Sequence, residues 1–390
     1  MVKEPMECYF DNSATTRCYE SVKEIMIRTM MTDYGNPSSM HKKGVDAENY
    51  VKDARDILAK NLKVNAKEIF FTSGGTEGNN LAIIGTAMAN RRSGNHVITS
   101  AVEHPSVTAA MEYLEENGFR ASYIPVDADG ILRMDALEAA LDEETVLVSV
   151  MYVNNEIGAV QPIQDIAELV HKKAPKAKLH VDAVQAYGKY RILPKKLEID
   201  LLSASGHKIH GPKGVGFLYV NDKVKIKPIS YGGGQQEGMR SGTVNTTGIA
   251  GLGAAVKELY TGFDEKIERL YTVKQAFVNG IGTIEGAVIH GLVGKDSAPH
   301  IVNVSFPGVR SEVLLHALEE YEIYVSAGSA CAAGKKHAVS PTLTAIRLDK
   351  DQLESAIRFS FHLESTVDEV NYCIEKLQEI IPKLKKYTRR

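Results

Sequence analysis

A chain of 390 residues is too long for one simple hydrophobic core, so we expect two domains or one large and one small domain. Apolar residues make up 44% and charged residues 24%, as in ordinary globular proteins, and a net charge of −3 argues against bulk attraction to nucleic acid or anionic membranes. We expect no secretory signal and no membrane span, because no apolar run reaches the about 18 residues that a span needs.

Short β-rich runs alternate with helical stretches from about residue 68 onward. Continuous apolar strands separated by amphipathic helices predict βαβ units around a buried, mostly parallel sheet. Ligands of such sheets bind beyond the carboxyl ends of the strands, so polar residues at those ends are the candidates for function. The predicted strands read EIFFTS, HVITS, ASYIPVD, TVLVSVMYV, AKLHVDA, DLLSAS and GVGFLYV, with helical stretches such as TEGNNLAIIGTAMANRR and IQDIAELVHKKA between them.

The last third of the chain has a different pattern. Residues 246–281 have helical spacing, and this stretch is long enough to run between two domains. The remainder predicts a smaller α+β unit that closes with the helix TVDEVNYCIEKLQEIIPKLKK.

The chain has four cysteines, Cys8, Cys18, Cys331 and Cys373, without a CxxC pair or regular spacing. We therefore expect no disulfide framework and no metal site, and a reducing cytoplasm is the natural location. Cys373 falls within the final helix, where a packing role is favoured. Cys331 lies in SAGSACAAGKKH, and its local sequence leaves two interpretations open: a small buried residue in a turn, or a reactive thiol on a flexible arm.

The segment FTSGGTEGNN follows the first predicted strand and begins a helix. Gly74 and Gly75 permit unusual backbone angles, the first amides of the helix favour an anion, and Thr76 adds a hydroxyl. Strand–glycine–helix turns are also common without a ligand, so phosphate binding remains one of two interpretations here. The segment is not a Walker loop, because the pattern GxxxxGK[ST] is absent.

Asp182 ends the apolar strand in KLHVDAVQ, and Gln185 follows three residues later. A carboxylate at the buried end of a parallel strand is costly unless a cation lies beside it. That cation is either a ligand or a basic side chain of the protein, which would make the site a structural salt bridge.

Lys208 lies just beyond a strand end in DLLSASGHKIHGPKG, close in sequence to Ser205, His207 and His210. Surface lysines rarely occupy such a position, whereas a partly desolvated lysine is suited to Schiff-base chemistry with an aldehyde. The pattern favours a functional lysine over a solvated one.

The combination of Asp182 with SGHK, whose lysine lies 26 residues further on, resembles pyridoxal-phosphate enzymes of the class V aminotransferase superfamily. Within that superfamily the chain resembles cysteine desulfurases of the NifS/IscS type. Ten motifs follow the order of the family: YFDNSATT (9–16), GNPSS (35–39), SGGTEGNN (73–80), EHPSV (103–107), NNEIG (154–158), HVDAVQ (180–185), SGHKIHGPKG (205–214), RSGTVN (240–245), GSAC (328–331) and IRFS (357–360).

The resemblance implies an α/β protein with the type I fold of pyridoxal-phosphate transferases. A large domain with a mostly parallel sheet would comprise residues 16–261, and a smaller α+β domain would comprise 1–15 and 262–390 and carry the Cys331 loop. The implied activity removes sulfur from L-cysteine, gives L-alanine and leaves a persulfide on Cys331. The sulfur would pass to an acceptor protein, such as an iron–sulfur scaffold or a tRNA-thiolation enzyme.

The resemblance also implies a role for each candidate residue. Lys208 would hold pyridoxal 5′-phosphate covalently and act as the base, while Cys331 would be the sulfur nucleophile. His104 would stack on the cofactor ring and relay protons, although the sequence alone favours a surface histidine at a helix start. The other implied cofactor contacts are Asp182 with the ring nitrogen, Gln185 with the ring hydroxyl, Gly75, Thr76, Ser205 and His207 with the phosphate, and Thr243 with the phosphate in the second subunit of a homodimer.

The substrate side of the implied site involves Asn155 and Arg358, which would hold the carboxylate of L-cysteine, since a guanidinium grips a carboxylate through two bonds. Without the resemblance, Arg358 on its strand would be interpreted as a structural ion-pair partner. The cationic residues Lys335, Lys336 and His337 either favour the Cys331 thiolate or are solvated, and the sequence does not decide between these.

Two segments depart from the family pattern. AAGKKHAVS, between Cys331 and Pro341, is about three residues longer than the IscS-type loop, and Phe361-His362-Leu363 replaces the usual Leu-Gly-Arg. Both departures bear on the identity of the sulfur acceptor. The competing functions are a selenocysteine lyase, another class V pyridoxal-phosphate enzyme that does not need Cys331, and a catalytically silent scaffold for iron–sulfur assembly.

Overall fold

The computed structural model describes residues 6–327 and 340–388. Its strands are β1 (Cys8–Tyr9), β2 (Ile69–Thr72), β3 (His96–Ser100), β4 (Arg120–Ile124), β5 (Thr145–Met151), β6 (Lys178–Asp182), β7 (Leu201–Ser205), β8 (Gly216–Val220), β9 (Val288–His290), β10 (Ile301–Ser305), β11 (Ile323–Tyr324), β12 (Ser326–Ala327) and β13 (Ala356–Ser360). Its α-helices are α1 (Glu20–Met31), α2 (Lys42–Leu62), α3 (Gly75–Asn90), α4 (Pro105–Glu116), α5 (Met134–Ala140), α6 (Ile163–Lys173), α7 (Thr246–Leu259), α8 (Phe263–Ile281), α9 (Ser311–Glu319), α10 (Pro341–Ala345), α11 (Lys350–Ser355) and α12 (Val367–Thr388).

The largest sheet has seven strands in the order β2-β8-β7-β6-β5-β3-β4. Strand β8 runs antiparallel to both neighbours, and the other neighbouring pairs run parallel. All seven residues of β5 are buried, as expected for a strand in the centre of a sheet that is covered on both faces. The prediction of an α/β fold with a mostly parallel sheet is confirmed.

A second sheet has four antiparallel strands in the order β12-β13-β10-β9, and β1 pairs in parallel with β11. The N-terminal segment also touches the second sheet, since Asp11 forms a β-bridge with Ser360. The N-terminal segment therefore pairs with strands of the smaller α+β unit. The exact limits of the two domains, at 16–261 and at 1–15 with 262–390, stay a prediction.

The stretch with helical spacing, 246–281, forms two helices, α7 and α8. The break lies at Gly262, whose φ of 64° is in the left-handed region that glycine adopts at low cost. The region before residue 68, for which no helix or strand is assigned above, contains β1, α1 and α2, and both helices pack against α7. None of the helices in the described residues is long and apolar enough to span a membrane.

An unexpected feature of the smaller unit is the buried amine of Lys274 on α8. Its Nζ donates to Ser297 Oγ at 2.6 Å and to the carbonyl of Ala298 at 2.7 Å, so the side chain ties α8 to the segment that precedes β10. Burial lowers the pKa of Lys274 to about 7 from its ordinary value of 10.5. The folded state therefore disfavours the ammonium form, whereas the unfolded chain does not.

This difference predicts a pH-dependent stability. Between pH 7 and about 10.5 the unfolded chain binds more protons at Lys274 than the folded chain, so the free energy of unfolding rises with pH by up to about 1.4 kcal/mol per unit. Urea unfolding of the wild type and of Lys274→Met, measured at pH 7 and pH 9.5, checks this. We expect the wild type to gain stability relative to the variant at the higher pH. A difference that does not change with pH contradicts the assignment.

Candidate active site

The glycine pair after β2 lies at the carboxyl edge of the large sheet, among the candidate residues that are together called the pocket below. Gly74 has φ 151° and ψ −172°, a conformation that is essentially restricted to glycine. A Cβ atom on Gly75 would lie 2.6 Å from Val184 Cγ2 and 3.8 Å from Ser205 Cβ, so only glycine lets the start of α3 approach the ends of β6 and β7. Three strand ends that are distant in sequence therefore meet here.

The N-terminus of α3 has the properties of an anion site. Its N-cap, Gly74, provides no side-chain cap, and the side chain of Thr76 in the first turn is exposed. His207 lies near this end of the sheet, in the turn after β7, and its Nδ1 is 3.3 Å from Thr15 Oγ1. Burial, together with Lys208 and Lys213, lowers the pKa of His207 to about 4, so its ring is neutral near pH 7 and donates one N–H.

Asp182 is the buried carboxylate at the end of β6, with 5% of its surface exposed. Oδ1 accepts from the amide of Val184 at 2.9 Å, and Oδ2 accepts from Asn79 Nδ2 at 2.7 Å. In the part of the chain that the structure describes, Asp182 forms no ion pair within 4.0 Å, so these residues do not provide the internal salt bridge of the alternative interpretation. Burial raises its pKa, although His104 and Lys208 act in the opposite direction.

His104 lies at the start of α4, where it is the N-cap before Pro105 at the first helical position. Its Nδ1 accepts from the amide of Ser106 at 3.1 Å and lies 2.8 Å from Ser106 Oγ. The residue is exposed to the pocket, yet the surrounding protein lowers the pKa of its imidazole. A neutral ring thus stands at this edge of the pocket.

Lys208 is half-buried in the turn Gly206–Lys208 that follows β7. Its Nζ donates to the carbonyls of Ser13 and Ala14, the second at 2.7 Å. The carbonyl of Ser13 also accepts from Gln185 Nε2 at 3.0 Å. The carbonyl of Ser13 therefore accepts hydrogen bonds from both Lys208 and Gln185, the two residues that the family resemblance assigns to the cofactor.

Arg358 is buried on β13, with 4% of its surface exposed. Its Nη2 donates to Asp11 Oδ1 at 2.8 Å, and its Nη1 donates to the carbonyl of Asn155 at 3.0 Å. The Nε atom is buried without a hydrogen-bond partner among the described residues. The two predicted substrate residues are thus in direct contact, and the ion pair that the sequence offered as an alternative is also present.

Other predicted residues are not joined to this group. Thr243 is exposed in the segment before α7, and among the described residues no hydrogen bond links it to the other cofactor candidates. The predicted contact of Thr243 with the phosphate in a second subunit stays a prediction. Cys331 lies outside the described residues, as do Lys335, Lys336 and His337.

Sequence reasoning missed three contributors to the pocket: Asn79, Asp11 and the carbonyl of Ser13. All three lie within motifs that the sequence analysis quoted, SGGTEGNN and YFDNSATT. Helical spacing contained a signal for Asn79, because it lies one turn beyond Gly75 on the same face of α3 and thus toward the same strand ends. Backbone carbonyls such as that of Ser13 carry no signal in the sequence.

Comparisons with known proteins agree with this geometry. The model of the family "Aminotransferase class-V" matches residues 8–373. The chain belongs to this family. It is 40% identical over 379 residues to a protein of Clostridium botulinum named cysteine desulfurase IscS, a match that covers 96% of this chain and 94% of the other.

Solved structures of similar proteins support the membership. A NifS-like protein superposes with a TM-score of 0.91 at 39% identity, with 97% of this chain and 100% of that chain covered. The structure of SspA in complex with cysteine matches with a TM-score of 0.79 at 33% identity, covering 91% of this chain and 99% of that one. The family expected from the motifs is therefore confirmed.

The pair between Arg358 and Asp11 yields a stability prediction. Replacing Asp11 by Ala leaves a guanidinium that is 4% exposed without its carboxylate, and we expect a loss of about 2 kcal/mol in the free energy of unfolding. This is less than for a fully buried pair, because the Asp11 side chain is 22% exposed. Chemical denaturation measures the loss.

The chain offers a matched control in the exposed pair of Arg191 with Asp264, whose side chains are 56% and 77% exposed. Asp264→Ala removes a carboxylate from an arginine in the same way, and a solvent-exposed pair stabilises the fold much less than a buried one. Equal effects of the two substitutions would mean that the Asp11 pair does not stabilise the fold through its burial.

Proposed function

We propose that this protein is a cysteine desulfurase that uses pyridoxal 5′-phosphate to take sulfur from L-cysteine, releasing L-alanine. The observation that carries the proposal is the carboxylate of Asp182, which is buried without an ion pair among the described residues and has Lys208 and His104 within electrostatic reach. Such a carboxylate favours a cationic ligand, and a protonated pyridine nitrogen is one. The relatives named cysteine desulfurase support the choice of reaction.

The residues of the pocket fit this cofactor. The uncapped start of α3, with Gly75, Thr76, Ser205 and His207, suits a phosphate, and Thr243 of a second copy would complete the site in a homodimer. Gln185 would hold the ring hydroxyl, His104 would cover one ring face, and Lys208 would carry the cofactor covalently. When bound, pyridoxal phosphate withdraws electrons from the substrate carbon that bears the amino group.

The protein's own residues position the substrate and move its protons. Nη1 of Arg358 donates to the Asn155 carbonyl, and its buried Nε has no hydrogen-bond partner among the described residues, which favours binding of the L-cysteine carboxylate at this end of the pocket. Lys208 Nζ is the base that takes a proton from the substrate and returns one to the product. The neutral ring of His104 holds a proton close to the reacting atoms.

Cys331 is the sulfur acceptor in this proposal, on the strength of its place in the motif GSAC. Its thiolate attacks the sulfur of the bound substrate, and a sulfur–sulfur bond forms while the carbon–sulfur bond breaks. The electron pair of the broken bond stays with the carbon, which takes a proton and becomes the methyl group of alanine. No oxidant is needed, because L-cysteine and the thiol together give alanine and a persulfide.

The remaining parts of the proposal concern the setting of the enzyme. The protein would act in the cytoplasm and deliver sulfur to an acceptor protein such as an iron–sulfur scaffold or a tRNA-thiolation enzyme. The large domain, at 16–261, would bind the cofactor, and the small domain, at 1–15 and 262–390, would carry the Cys331 loop. We propose no direct contact with nucleic acid.

The thiol is tested by comparing Cys331→Ala with the wild type. We expect alanine formation from L-cysteine under reductant to fall at least about 100-fold, because the variant has no nucleophile for the substrate sulfur. Cys18→Ser is the matched control, since Cys18 is an exposed thiol whose Sγ donates to the carbonyl of Gly211 at 3.2 Å. Equal activity of Cys331→Ala and the wild type would favour a lyase that releases sulfur or selenium directly, and selenocysteine would be the next substrate.

The cofactor site is tested with Gly74→Ala. Alanine adopts the backbone conformation of Gly74 only with strain. We therefore expect the start of α3 to shift and the affinity for pyridoxal 5′-phosphate to fall about tenfold. Cofactor absorbance during equilibrium dialysis gives the dissociation constant. Gly234→Ala is the control, because Gly234 has φ −84° and a Cβ there would meet no atom within 4 Å. Unchanged affinity in Gly74→Ala would place the phosphate elsewhere.

A further inference from the structure

We propose that Asn79 is a positioning residue that keeps the His104 ring neutral and protonated at Nε2. It acts through the hydroxyl of Ser106 and links the state of His104 to the carboxylate of Asp182. The proposal rests on the proposed function, because it assumes that His104 and Asp182 face the same bound cofactor. The chain of contacts runs from β6 through α3 to the start of α4.

The orientation of the Asn79 amide follows from its surroundings. Asn79 is buried, and its Nδ2 lies 2.7 Å from Asp182 Oδ2 and 2.9 Å from Ser106 Oγ, while its Oδ1 has no hydrogen-bond partner within the described residues. Rotating the amide by 180° would place its oxygen against a carboxylate oxygen, and an ionised carboxylate accepts hydrogen bonds only. Both hydrogens on Nδ2 are therefore used, one for Asp182 and one for Ser106.

The hydroxyl of Ser106 is consequently directed as well. Because Ser106 Oγ accepts from Asn79, its single hydrogen is available for His104 Nδ1, which lies 2.8 Å away. The backbone amide of Ser106 donates to the same nitrogen at 3.1 Å. Two donors thus meet at Nδ1, so this nitrogen cannot carry a proton and the neutral ring carries its proton on Nε2.

The charged groups that act on His104 come from two other elements. Asp182 on β6 raises the pKa of the imidazole, whereas Lys208 and the surrounding protein lower it. The proximity of Asp182 would otherwise favour an imidazolium, and the donors at Nδ1 oppose that form. A neutral ring is the form that stacks without repulsion on a cofactor whose ring nitrogen is protonated.

Loss of the Asn79 amide releases the Ser106 hydroxyl. In Asn79→Ala the hydroxyl is free to rotate and to accept a hydrogen bond from Nδ1–H, so the imidazolium becomes easier to form. We expect the pKa of His104 to rise by about one unit, which corresponds to tenfold tighter proton binding. Ser106→Ala should raise it less, because alanine removes one donor to Nδ1 but offers no oxygen that could accept from Nδ1–H, and Ser106→Thr should retain the behaviour of the wild type.

The test is a pH titration by NMR of the purified protein with its cofactor, labelled with ¹⁵N in the histidine rings. Correlations between the ring nitrogens and carbon-bound hydrogens report which nitrogen is protonated, and His104→Gln assigns the signal. We expect Nε2–H in the wild type and a raised titration midpoint in Asn79→Ala. Asn90→Ala is the control, since Asn90 lies on the same helix and its Nδ2 donates to the carbonyls of Thr86 and Lys225.

Two results would overturn the inference: a wild-type His104 protonated at Nδ1, or a midpoint in Asn79→Ala equal to that in Asn90→Ala. If Asn79→Ala does not fold, Ser106→Ala measured against Ser106→Thr decides the same question. The readout does not depend on turnover. A wild type that forms no alanine would remove the proposed function, while the titration would still decide the role of Asn79.

Discussion

The buried carboxylate of Asp182 is the constraint on which the pocket depends. Removing such a group from water costs several kcal/mol unless hydrogen bonds and a cation compensate. The chain supplies two hydrogen bonds, from Asn79 and from the amide of Val184, but no ion pair from the described residues. Lys208 favours the charged form of the carboxylate from the same edge of the sheet. We propose that a cationic ligand supplies the remaining compensation.

The N-terminal segment 11–16 joins the two sides of the site. Asp11 pairs with Arg358 on the second sheet, and the carbonyl of Ser13 accepts from Lys208 beyond the first sheet. Thr16 donates to the carbonyl of His207 at 2.9 Å, which fixes the turn that carries the lysine. One short segment therefore sets the distance between the proposed carboxylate site and the lysine. A change in the path of segment 11–16 would move the proposed carboxylate site and Lys208 together.

The sequence predicted the parts of this arrangement that have a local signature. Apolar runs located the strands, and polar residues at strand ends, such as Asp182 and Lys208, marked the edge of the sheet where the pocket lies. The pair between Asp11 and Arg358 joins residues 347 positions apart, and neither periodicity nor composition contains such a contact. Asn79 and Asn80 are adjacent in sequence; helical spacing places Asn79 on the face of Gly75, and packing shows that it meets the carboxylate. The helices before residue 68 were missed because α1 and α2 follow one another without a strand of the large sheet between them, and both pack against α7.

We infer that a cationic ring nitrogen stabilises the Asp182 carboxylate. The direct test compares the affinity of the wild-type protein for pyridoxal 5′-phosphate with its affinity for the analogue in which carbon replaces that nitrogen. The account predicts that the natural cofactor binds at least about tenfold more tightly, because the analogue leaves a buried carboxylate without a cation. Equal affinity for both would contradict the account and would require another partner for Asp182.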